Sequence, residues 1–593
     1  MMARSQSKPL MMSDAVLECV MESNYMDDPS VRDTASLVCK SWHQMDSITR
    51  KHITIALCYS TTPQHLRTRF PNIKSLKLKG NPRASMFNLI PRDWGGYAAP
   101  WINETGTFRC LKSIHFVRMI ISDQDLHALV HHCGRLLLVL KMERCWGFST
   151  DALKEVARSS CNLKTLSVEE STITENDGDW LHELALRNTV LETLNFHMTE
   201  LRAVHCTDLE MIASQCKDLK SVKISDSIDV GSMVGFFSAA LSLEEFAGGS
   251  FNDHQDDDRD LPCIVYDNVR FPPRLCSLGL SYITQKEMHI IFPSAAYLNH
   301  LDLQYTFLNT EDHCDLLRRC PRLRVLQVRN VIGDQGLDVV ADTCKFLKRL
   351  RIERGEDEEQ EGTVTQRGVS RISQECSELE YLAVYVSDIT NEALEILGTF
   401  SKNLSDFRLV LLDNKEIKTD LPLDDGVRAL LRGCIKLRRF ALYLRQGGLT
   451  DVGMEYIGLH SPNVVSMLLG HIGESDAGLA AFSRGCPCLK KLEFRGCCFS
   501  ETALLVAMKK HKSLKYIWVQ GHNIGSEWGR KGVPIIPPYW NIEFIPTKRV
   551  DCDDDGHNDD DDDGYVEMPA QIIGYCSLAG VRTDHPQFVV PLF

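Results

Sequence analysis

The chain has 593 residues, a formal net charge of −14 and a charged fraction of 25%. These values are typical of a globular protein, and the acidic balance argues against general binding to nucleic acid or anionic membranes. No apolar run approaches the roughly 20 residues that span a bilayer, and the N-terminus has no secretory signal pattern. We therefore expect neither nucleic acid nor membrane as a partner.

The N-terminal segment is predicted to be helical. Residues 1–12 are expected to form a flexible N-terminus, and a helix can begin at Asp28-Pro29. Apolar side chains then continue at three- and four-residue spacing as far as Met45. The string ASLVCKSW over residues 35–42 resembles the second half of an F-box. We interpret residues 13–55 as an F-box; the alternative is a helical cap for the repeats that begin near residue 60.

Residues 60–540 repeat one phrase, Leu-x-x-Leu-x-Leu with other apolar residues standing in. Its copies begin at Ile73, Leu111, Leu137, Leu163, Leu191, Leu219, Leu243, Leu275, Leu298, Leu323, Leu347, Leu379, Leu404, Leu437, Val464, Leu489 and Leu514. Most spacings are roughly 23 to 28 residues, the leucine-rich-repeat period. One such unit cannot bury its apolar face alone, so the copies must stack. The predicted fold is α/β: a leucine-rich-repeat solenoid, a nearly closed horseshoe, with an N-terminal helical F-box and a C-terminal cap over 541–593.

Longer gaps come after the copies at Ile73, Leu243, Leu347 and Leu404. Insertions in a solenoid often project from its binding face, so four of them predict a built-up rim. Tolerated loop growth is the alternative.

Many of the 22 cysteines recur just before repeat strands. These are Cys133, Cys161, Cys216, Cys320, Cys344, Cys376, Cys434 and Cys486. A free thiol packs at such a position as a small hydrophobe, and no Cys-x-x-Cys zinc signature occurs. We expect a reduced protein of the cytosol or nucleus.

An acidic run covers residues 551–564 within the predicted C-terminal cap. Its spacing superficially fits a calcium loop, with Asp551, Asp553, Asp555 and Gly556 at the expected positions. The flanking residues supply no amphipathic helices, so we interpret the run as a solvated acidic loop. No metal site is predicted.

The residues between the inward leucines of each strand face the concave surface, and this places Val117, Arg445 and Trp518 there, among others. Cations dominate the first two strands and the strands from the tenth onward, whereas the middle strands show acids or neutral residues such as Glu143 and Asp302. If the array nearly closes, these two cation groups face one another, and a polyanion would relieve their repulsion. The alternative is local pairing of arginines with Glu353 and Glu493.

The tyrosines suggest a ligand. Tyr385 and Tyr443 each lie one strand from Arg408, while Ala383 and Ala441 leave space. Arg can grip a carboxylate through two hydrogen bonds, and Tyr adds a hydroxyl and an apolar wall. With the insertion around Phe87 and Leu89 laid over it, this predicts a small pocket for an amphipathic acid above a basic floor for phosphates. No catalytic motif occurs, and His131-His132-Cys133 is interpreted as the end of a repeat helix.

Six strings resemble the plant coronatine-insensitive proteins, a family of F-box leucine-rich-repeat jasmonate receptors. They are SLKLKG (75–80), MFNLIP (86–91), RLRIERG (349–355), AVYVSD (383–388), FRLVLLD (407–413) and YLRQGGLTD (443–451). The resemblance implies a non-catalytic substrate-recognition subunit of a cullin-RING (SCF-type) ubiquitin ligase in the nucleus, with some in the cytoplasm. A Skp-type adaptor would dock on the F-box, linking it to the cullin complex. Jasmonoyl-isoleucine would fill the pocket, and the degron of a jasmonate ZIM-domain (JAZ) repressor would close over it.

The resemblance also implies the site residues. The hormone contacts would be Arg83, Arg351, Tyr385, Arg408, Tyr443 and Arg495, with apolar walls Ala84, Phe87, Leu89 and Leu468. An inositol polyphosphate, similar to a pentakisphosphate, would act as cofactor on Lys77, Lys79, His115, Arg118, Arg349 and Arg408.

Two departures from the family pattern affect this site. Val117 stands where a second basic residue is expected beside Arg118, and Val465-Ser466 replaces an Arg-Trp pair. The alternatives are an F-box receptor for another small acidic hormone, of the auxin type or a jasmonate precursor, and a hormone-independent degradation adaptor.

Overall fold

The computed structural model describes residues 14–23, 28–87, 89–175, 177–251, 263–355, 363–412, 421–521, 538–551 and 565–592. The predictions for residues 1–12 and for the acidic loop after Asp551 lie outside these ranges. So do large parts of the insertions predicted after Leu243, Leu347 and Leu404.

The helices alternate with the repeat strands. They are α1 Asp14–Met21, α2 Pro29–Ala35, α3 Lys40–Thr49, α4 Pro63–Arg69, α5 Ala99–Ile102, α6 Asp123–Cys133, α7 Thr150–Ser159, α8 Asp179–Arg187, α9 Cys206–Gln215, α10 Val234–Ala239, α11 Phe292–Ala295, α12 Thr310–Leu317, α13 Gly333–Thr343, α14 Gln366–Glu375, α15 Asn391–Phe400, α16 Asp424–Gly433, α17 Asp451–His460, α18 Asp476–Phe482 and α19 Glu501–Lys510. α6 ends at Cys133, as expected for the His131-His132-Cys133 segment.

The strands coincide with the repeat phrase. They are β1 His52–Ile55, β2 Ser75–Lys79, β3 Ser113–Val117, β4 Val139–Glu143, β5 Trp146–Ser149, β6 Thr165–Ser167, β7 Thr172–Thr174, β8 Thr193–Asn195, β9 Ser221–Lys223, β10 Glu245–Ala247, β11 Ser277–Gly279, β12 His300–Asp302, β13 Val325–Arg329, β14 Arg349–Glu353, β15 Tyr381–Val386, β16 Asp406–Leu411, β17 Arg439–Tyr443, β18 Ser466–Gly470, β19 Lys491–Arg495, β20 Tyr516–Gln520, β21 Trp540–Ile545, β22 Lys548–Asp551, β23 Tyr565–Met568, β24 Gln571–Cys576 and β25 Val590–Pro591.

One parallel sheet runs through the repeats from β1 to β20 and omits only the short pair β5 and β7. Side chains alternate across each strand, so the apolar residues of the phrase point to the helix layer while the residues between them point to the concave face. In β14, for example, Leu350 and Ile352 are buried. The predicted α/β leucine-rich-repeat solenoid is confirmed.

A carboxylate ladder connects successive repeats at the helix starts. Asp123 of α6 accepts hydrogen bonds from the backbone N–H and the hydroxyl of Ser149, at 2.7 and 2.8 Å. Asp476 does the same for Ser500, at 2.8 and 2.6 Å. Each Ser in turn caps its own helix, which satisfies N–H groups that a helix start leaves without partners. One side chain thereby fixes the registry of two neighbouring helices.

The N-terminal unit is held by a buried carboxylate. Asp46 of α3 accepts hydrogen bonds from Arg32 at 2.9 Å, Arg50 at 3.0 Å and Arg69 at 3.0 Å. Arg69 belongs to α4, so this cluster joins the helical unit to the first repeat. Charge neutralisation and several hydrogen bonds are what a buried carboxylate requires.

The apolar spacing up to Met45 is interrupted in the structure. α2 ends at Ala35 and α3 begins at Lys40, after Cys39 in an extended conformation. The intervening turn exposes Leu37 and Val38 instead of placing them on a packed helix face.

The C-terminal segment joins the two ends of the array. β24 pairs antiparallel with β20 and β21, ending the parallel sheet. The Ser577 hydroxyl then donates to the Tyr59 carbonyl at 2.7 Å, and the Leu578 N–H donates to the Ser60 carbonyl at 2.9 Å. The last and first repeats are therefore bonded together, and the nearly closed shape is confirmed.

Most of the repeat cysteines are buried free thiols, as expected, but Cys161 is exposed. Its Sγ approaches the carbonyl of Arg158, which lies on the solvent side of the helix end. No helix among the described residues is both long and apolar enough to cross a membrane. The same residues form no group of three His, Cys, Asp or Glu side chains suited to a metal ion.

Candidate functional site

The strand register places the concave side chains in three rows, because partners in a parallel sheet lie side by side. The first row contains Arg349, Tyr381, Asp406, Arg439, Ser466, Lys491 and Tyr516. The second row contains Arg351, Ala383, Arg408, Ala441, Leu468, Glu493 and Trp518. The third row contains Tyr385, Val410, Tyr443, Gly470, Arg495 and Gln520.

A cluster of guanidinium groups and a phenol spans the second and third rows. Arg408 donates to the Tyr385 hydroxyl at 2.5 Å, and its guanidinium carbon lies 5.1 Å from the centre of that ring. Arg351 donates to Glu353 at 2.5 Å, and Arg408 reaches the same carboxylate oxygen at 3.4 Å. Two cations thus share one carboxylate, which leaves positive charge for a further anion. Burial raises the pKa of Tyr385, so its hydroxyl stays protonated as a possible donor.

A second aromatic group lies on the other side of Arg408. The Tyr443 hydroxyl is 2.9 Å from Nε2 of His471, and the Arg495 guanidinium carbon is 5.3 Å from the centre of the Tyr443 ring. Ala383 is buried and Ala441 is half-buried, and Val410 lies between the two tyrosines in the third row. The arrangement resembles the wall and gripping groups that were predicted for an amphipathic acid.

The loop after β2 covers this region. A 3₁₀ turn over Arg83–Phe87 buries Ala84, leaves the Phe87 ring half exposed and precedes half-buried Leu89. The Arg83 side chain is accessible to solvent in part and has protein around the rest of it. This partial loss of solvent lowers the pKa of its guanidinium. The charge of Arg408 lowers that pKa further, as does Arg351. The first insertion therefore brings a cation to face those of the later strands.

A basic floor is formed by residues from both ends of the array. Burial lowers the pKa of Lys79 to about 8, and the neighbouring charges of Lys77, Arg118, Lys491 and Arg439 add to the shift. Lys491 and Arg439 belong to β19 and β17, so the ends of the solenoid meet here. Such a site is unfavourable when empty and suits a polyanion.

The remaining predicted floor residues are arranged less uniformly. His115 forms a 3.1 Å contact with Glu143; burial lowers its pKa, while the His115 hydrogen bond lowers the pKa of Glu143 to about 2. Arg118 donates to the Asn81 carbonyl at 2.9 Å. Arg349 is exposed, with its guanidinium carbon 4.2 Å from the centre of the Tyr381 ring.

Three residues expected on the concave face are covered or engaged by other parts of the chain. Val117 and Trp518 are in register with concave side chains but are buried, and the Trp518 Nε1–H donates to Gln571 of the cap at 2.9 Å. Arg445 donates to the Leu412 carbonyl of a neighbouring repeat, and strand alternation does not include contacts of this kind. The middle strands are also not free of cations.

The middle strands carry the cations Lys141 and Lys223. Lys141 is in register with His115, and Lys223 is in register with Ala247. Lys223 is paired with Glu245 at 2.9 Å. Local pairing also occurs at the later strands, through Glu353 and through the 3.0 Å contact between Lys491 and Glu493. The alternative of local pairing is therefore partly correct.

Arg439 and Lys491 are floor residues that the sequence reasoning missed. Both stand two residues before the middle position of their strands and point the same way as Arg349. Extending the strand alternation two residues toward the N-terminus would have found them. Ser466 lies between them in the first row, and half-buried Leu468 follows two residues later in the second row.

The helical unit presents an apolar surface. Val16, Val31, Leu37, Val38 and Ile48 are all substantially exposed, and Leu37 retains 82% of its accessible surface. Clustered exposed apolar side chains of this kind indicate a protein contact site.

Comparison with known proteins places these features in a context. Residues 9–52 match the F-box family, and residues 71–116 match the Transport inhibitor response 1 protein domain. The chain is 56% identical over 581 residues to coronatine-insensitive protein 1 of Arabidopsis thaliana, which covers 97% of this chain and 96% of that protein. It is 55% identical to coronatine-insensitive protein homolog 1b of Oryza sativa subsp. japonica, covering 96% and 94%. GRR1-like protein 1 of Arabidopsis thaliana is 32% identical, covering 97% and 96%.

Proposed function

Because this chain belongs to the family of coronatine-insensitive F-box proteins, we propose that it is a jasmonate co-receptor and the substrate-recognition subunit of a cullin-RING (SCF-type) ubiquitin ligase. The observation that carries the proposal is the group of Arg83, Arg351 and Arg408 around two tyrosines, in which Arg351 and Arg408 share the carboxylate of Glu353. A small amphipathic acid supplies both the missing negative charge and an apolar body.

The pocket residues have separate roles in this proposal. Arg83, Arg351 and Arg408 bind the carboxylate of jasmonoyl-isoleucine, and the hydroxyls of Tyr385 and Tyr443 complete its polar contacts. Ala84, Phe87, Leu89 and Leu468 contact the apolar parts of the hormone. Arg495 lies at the edge of the pocket, where the degron of a JAZ repressor closes over the ligand.

The basic floor holds an inositol polyphosphate. Lys77, Lys79 and Arg118 contribute from the first repeats, and Arg349 and Arg408 from the later ones, with His115 beside them. The lowered pKa of Lys79 supports this assignment. Burial is the main cause of the shift and neighbouring cations add to it, and a bound polyanion offsets both by favouring the charged form of the side chain. Arg439 and Lys491 extend the same floor. The polyphosphate joins the two ends of the solenoid beneath the hormone.

The F-box docks a Skp-type adaptor through the exposed apolar side chains around Leu37. The chain itself is a receptor: it performs no catalytic step, and a separate enzyme of the ligase transfers ubiquitin to the captured repressor. Its place of action is the nucleus, with a fraction in the cytoplasm.

The test is capture of a JAZ degron peptide by the full chain in complex with its adaptor, with inositol polyphosphate present throughout. Jasmonoyl-isoleucine, a jasmonate precursor and indole-3-acetic acid are compared at equal concentrations. We expect capture with jasmonoyl-isoleucine only. Capture with another acid alone would replace the hormone assignment, and equal capture without any ligand would establish a hormone-independent adaptor instead.

A further inference from the structure

His471 has a backbone conformation that is uncommon for residues other than glycine. It comes directly after β18 and has a φ of 52°, in the left-handed region that favours glycine. Arg118 and Arg144, directly after β3 and β4, have nearly the same φ, so this turn recurs at the ends of repeat strands. At His471 the turn places the side chain beside two residues of the proposed pocket.

The His471 side chain is in contact with Tyr443. Its Nε2 lies 2.9 Å from the Tyr443 hydroxyl, and the two rings meet edge to face, with centres 5.1 Å apart at 85°. The backbone N–H of His471 donates to the carbonyl of Arg495 at 2.9 Å. The guanidinium of Arg495 lies on the Tyr443 ring. The three residues therefore form one connected unit.

Two glycines make room for this unit. A Cβ on Gly470 would collide with the Tyr443 ring, and a Cβ on Gly496 would collide with the His471 imidazole. Gly496 also has a positive φ of 61°. The two rings are therefore seated directly on the backbone of neighbouring strands, and their orientation is set before any ligand arrives.

We propose that His471 is a positioning residue of the ligand pocket, which fixes the orientation of the Tyr443 hydroxyl. This inference rests on the proposed function, in which the Tyr443 hydroxyl contacts the bound ligand. A hydroxyl fixed in advance loses less conformational freedom on binding than a freely rotating one. The left-handed backbone of His471 directs its imidazole toward that hydroxyl.

The experiment compares binding of jasmonoyl-isoleucine to the full chain–adaptor complex by titration calorimetry. His471→Phe keeps a ring but removes the hydrogen bond, and we expect about tenfold weaker binding. His471→Gln retains a hydrogen-bonding group and should restore most of the affinity. His127→Phe, at an exposed site on α6, is the matched control and should bind as the parent does.

A double variant separates positioning from a general packing effect. In a Tyr443→Phe background, His471→Phe should cause no further loss, because the hydroxyl it acts through is gone. Parent-like binding by His471→Phe, or an equal loss in both backgrounds, would overturn the inference.

Failure of the proposed function would be recognised separately, as absence of binding by the parent complex. The imidazole ¹⁵N resonance of His471, assigned by its loss in His471→Gln, then decides the inference. A shift of that resonance on Tyr443→Phe would support the pairing, and an unchanged resonance would refute it.

Discussion

Arg408 lies at the centre of the site, between the aromatic groups of Tyr385 and Tyr443. Its guanidinium binds the Tyr385 hydroxyl and shares Glu353 with Arg351. Because it shares this carboxylate, the charge of Arg408 is less fully neutralised than that of an arginine with its own acidic partner. This is the arrangement expected of a side chain that receives an anionic ligand.

Arg408→Met should weaken jasmonoyl-isoleucine binding by at least about tenfold, since a charge-assisted hydrogen bond is worth roughly 1.5 to 3 kcal/mol. Calorimetric titration of the chain–adaptor complex measures the change. Arg428→Met is a matched control, because Arg428 lies over Tyr456 at 5.0 Å in the helix layer. Equal losses from both variants would exclude a specific role for Arg408.

In the proposed function, Lys79 makes polyphosphate binding depend on pH. In the empty protein its pKa of about 8 means that it loses its charge as the pH rises through that value. A bound polyanion favours the charged form and raises the pKa, so affinity is full below pH 8 and falls above it. Inositol hexakisphosphate should bind up to about fivefold more weakly at pH 9 than at pH 8, because about half of the Lys79 side chains are already neutral at pH 8; calorimetry measures the change.

Lys79→Arg provides the control for that measurement, because arginine stays charged over this pH range. Its affinity should not show the additional decrease above pH 8. The same pH profile for the parent and the variant would contradict the assignment of Lys79 to the floor.

At residue scale, strand alternation predicts which side chains reach the concave face, and it placed Arg351, Tyr385 and Arg408 there correctly. It did not predict that Trp518 and Arg445 are engaged by other parts of the chain, which are the cap and a neighbouring repeat respectively. Those contacts join residues far apart in the chain, so no local pattern contains them.

At the scale of elements, the loop after β2 is held by the C-terminal segment. The Gln571 side chain donates to the Leu89 carbonyl and accepts from the indole N–H of Trp518 at 2.9 Å. Ala84, Ile90 and Trp94 of the loop pack into one cluster with cap residues. The C-terminal cap, about 480 residues further along the chain, therefore fixes the position of Phe87 and Leu89 over the proposed pocket.

Gln571→Ala should lower the free energy of unfolding by about 1 to 3 kcal/mol, because it leaves the buried Trp518 N–H without an acceptor. Denaturant unfolding of the full chain measures this loss. Gln64→Ala, which removes an exposed contact to Glu104, should change the stability by less than about 0.5 kcal/mol. A Gln571→Ala protein as stable as the parent would contradict the proposed role.

The repeat elements themselves could be predicted from the leucine pattern, because each strand needs only its own apolar residues to be recognised. The break between α2 and α3 could not, since the apolar spacing continues across it. Leu37 and Val38 fit a helical pattern but are exposed in a turn, where a partner protein would cover them.

At the scale of the whole molecule, the ring is closed by a buried ion pair. Arg582 and Glu543 each retain 4% of their side-chain exposure and are joined at 2.7 Å, while Arg582 also donates to the Trp94 carbonyl at 2.8 Å. Its guanidinium lies 4.7 Å from the Tyr59 ring centre. The C-terminal segment is thereby bonded to the first repeats, which brings the two cation groups together.

Arg582→Met should destabilise the protein by about 3 to 5 kcal/mol, because it leaves Glu543 buried without its partner. Denaturant unfolding measures the loss, and adding Glu543→Gln should recover part of it. Arg187→Met, which breaks an exposed pair with Glu183, is the control and should lose at most about 1 kcal/mol. Similar small effects from both variants would refute the closure role.

The overall curvature and the meeting of cations could be inferred from the repeat and the charge pattern. The closing pair could not, because neither Arg582 nor Glu543 belongs to a repeat phrase. Their pairing depends on the antiparallel strands that end the array.

In the proposed function, a hormone bound among Arg408, Tyr385 and Tyr443 completes the surface that captures a repressor. The most direct test of this coupling is the affinity of a fluorescent JAZ degron peptide for the full chain–adaptor complex, measured by anisotropy with and without jasmonoyl-isoleucine at saturating inositol polyphosphate. We predict that the hormone increases the affinity by at least about tenfold, a coupling of roughly 1.4 kcal/mol. An affinity that is the same with and without the hormone would contradict it.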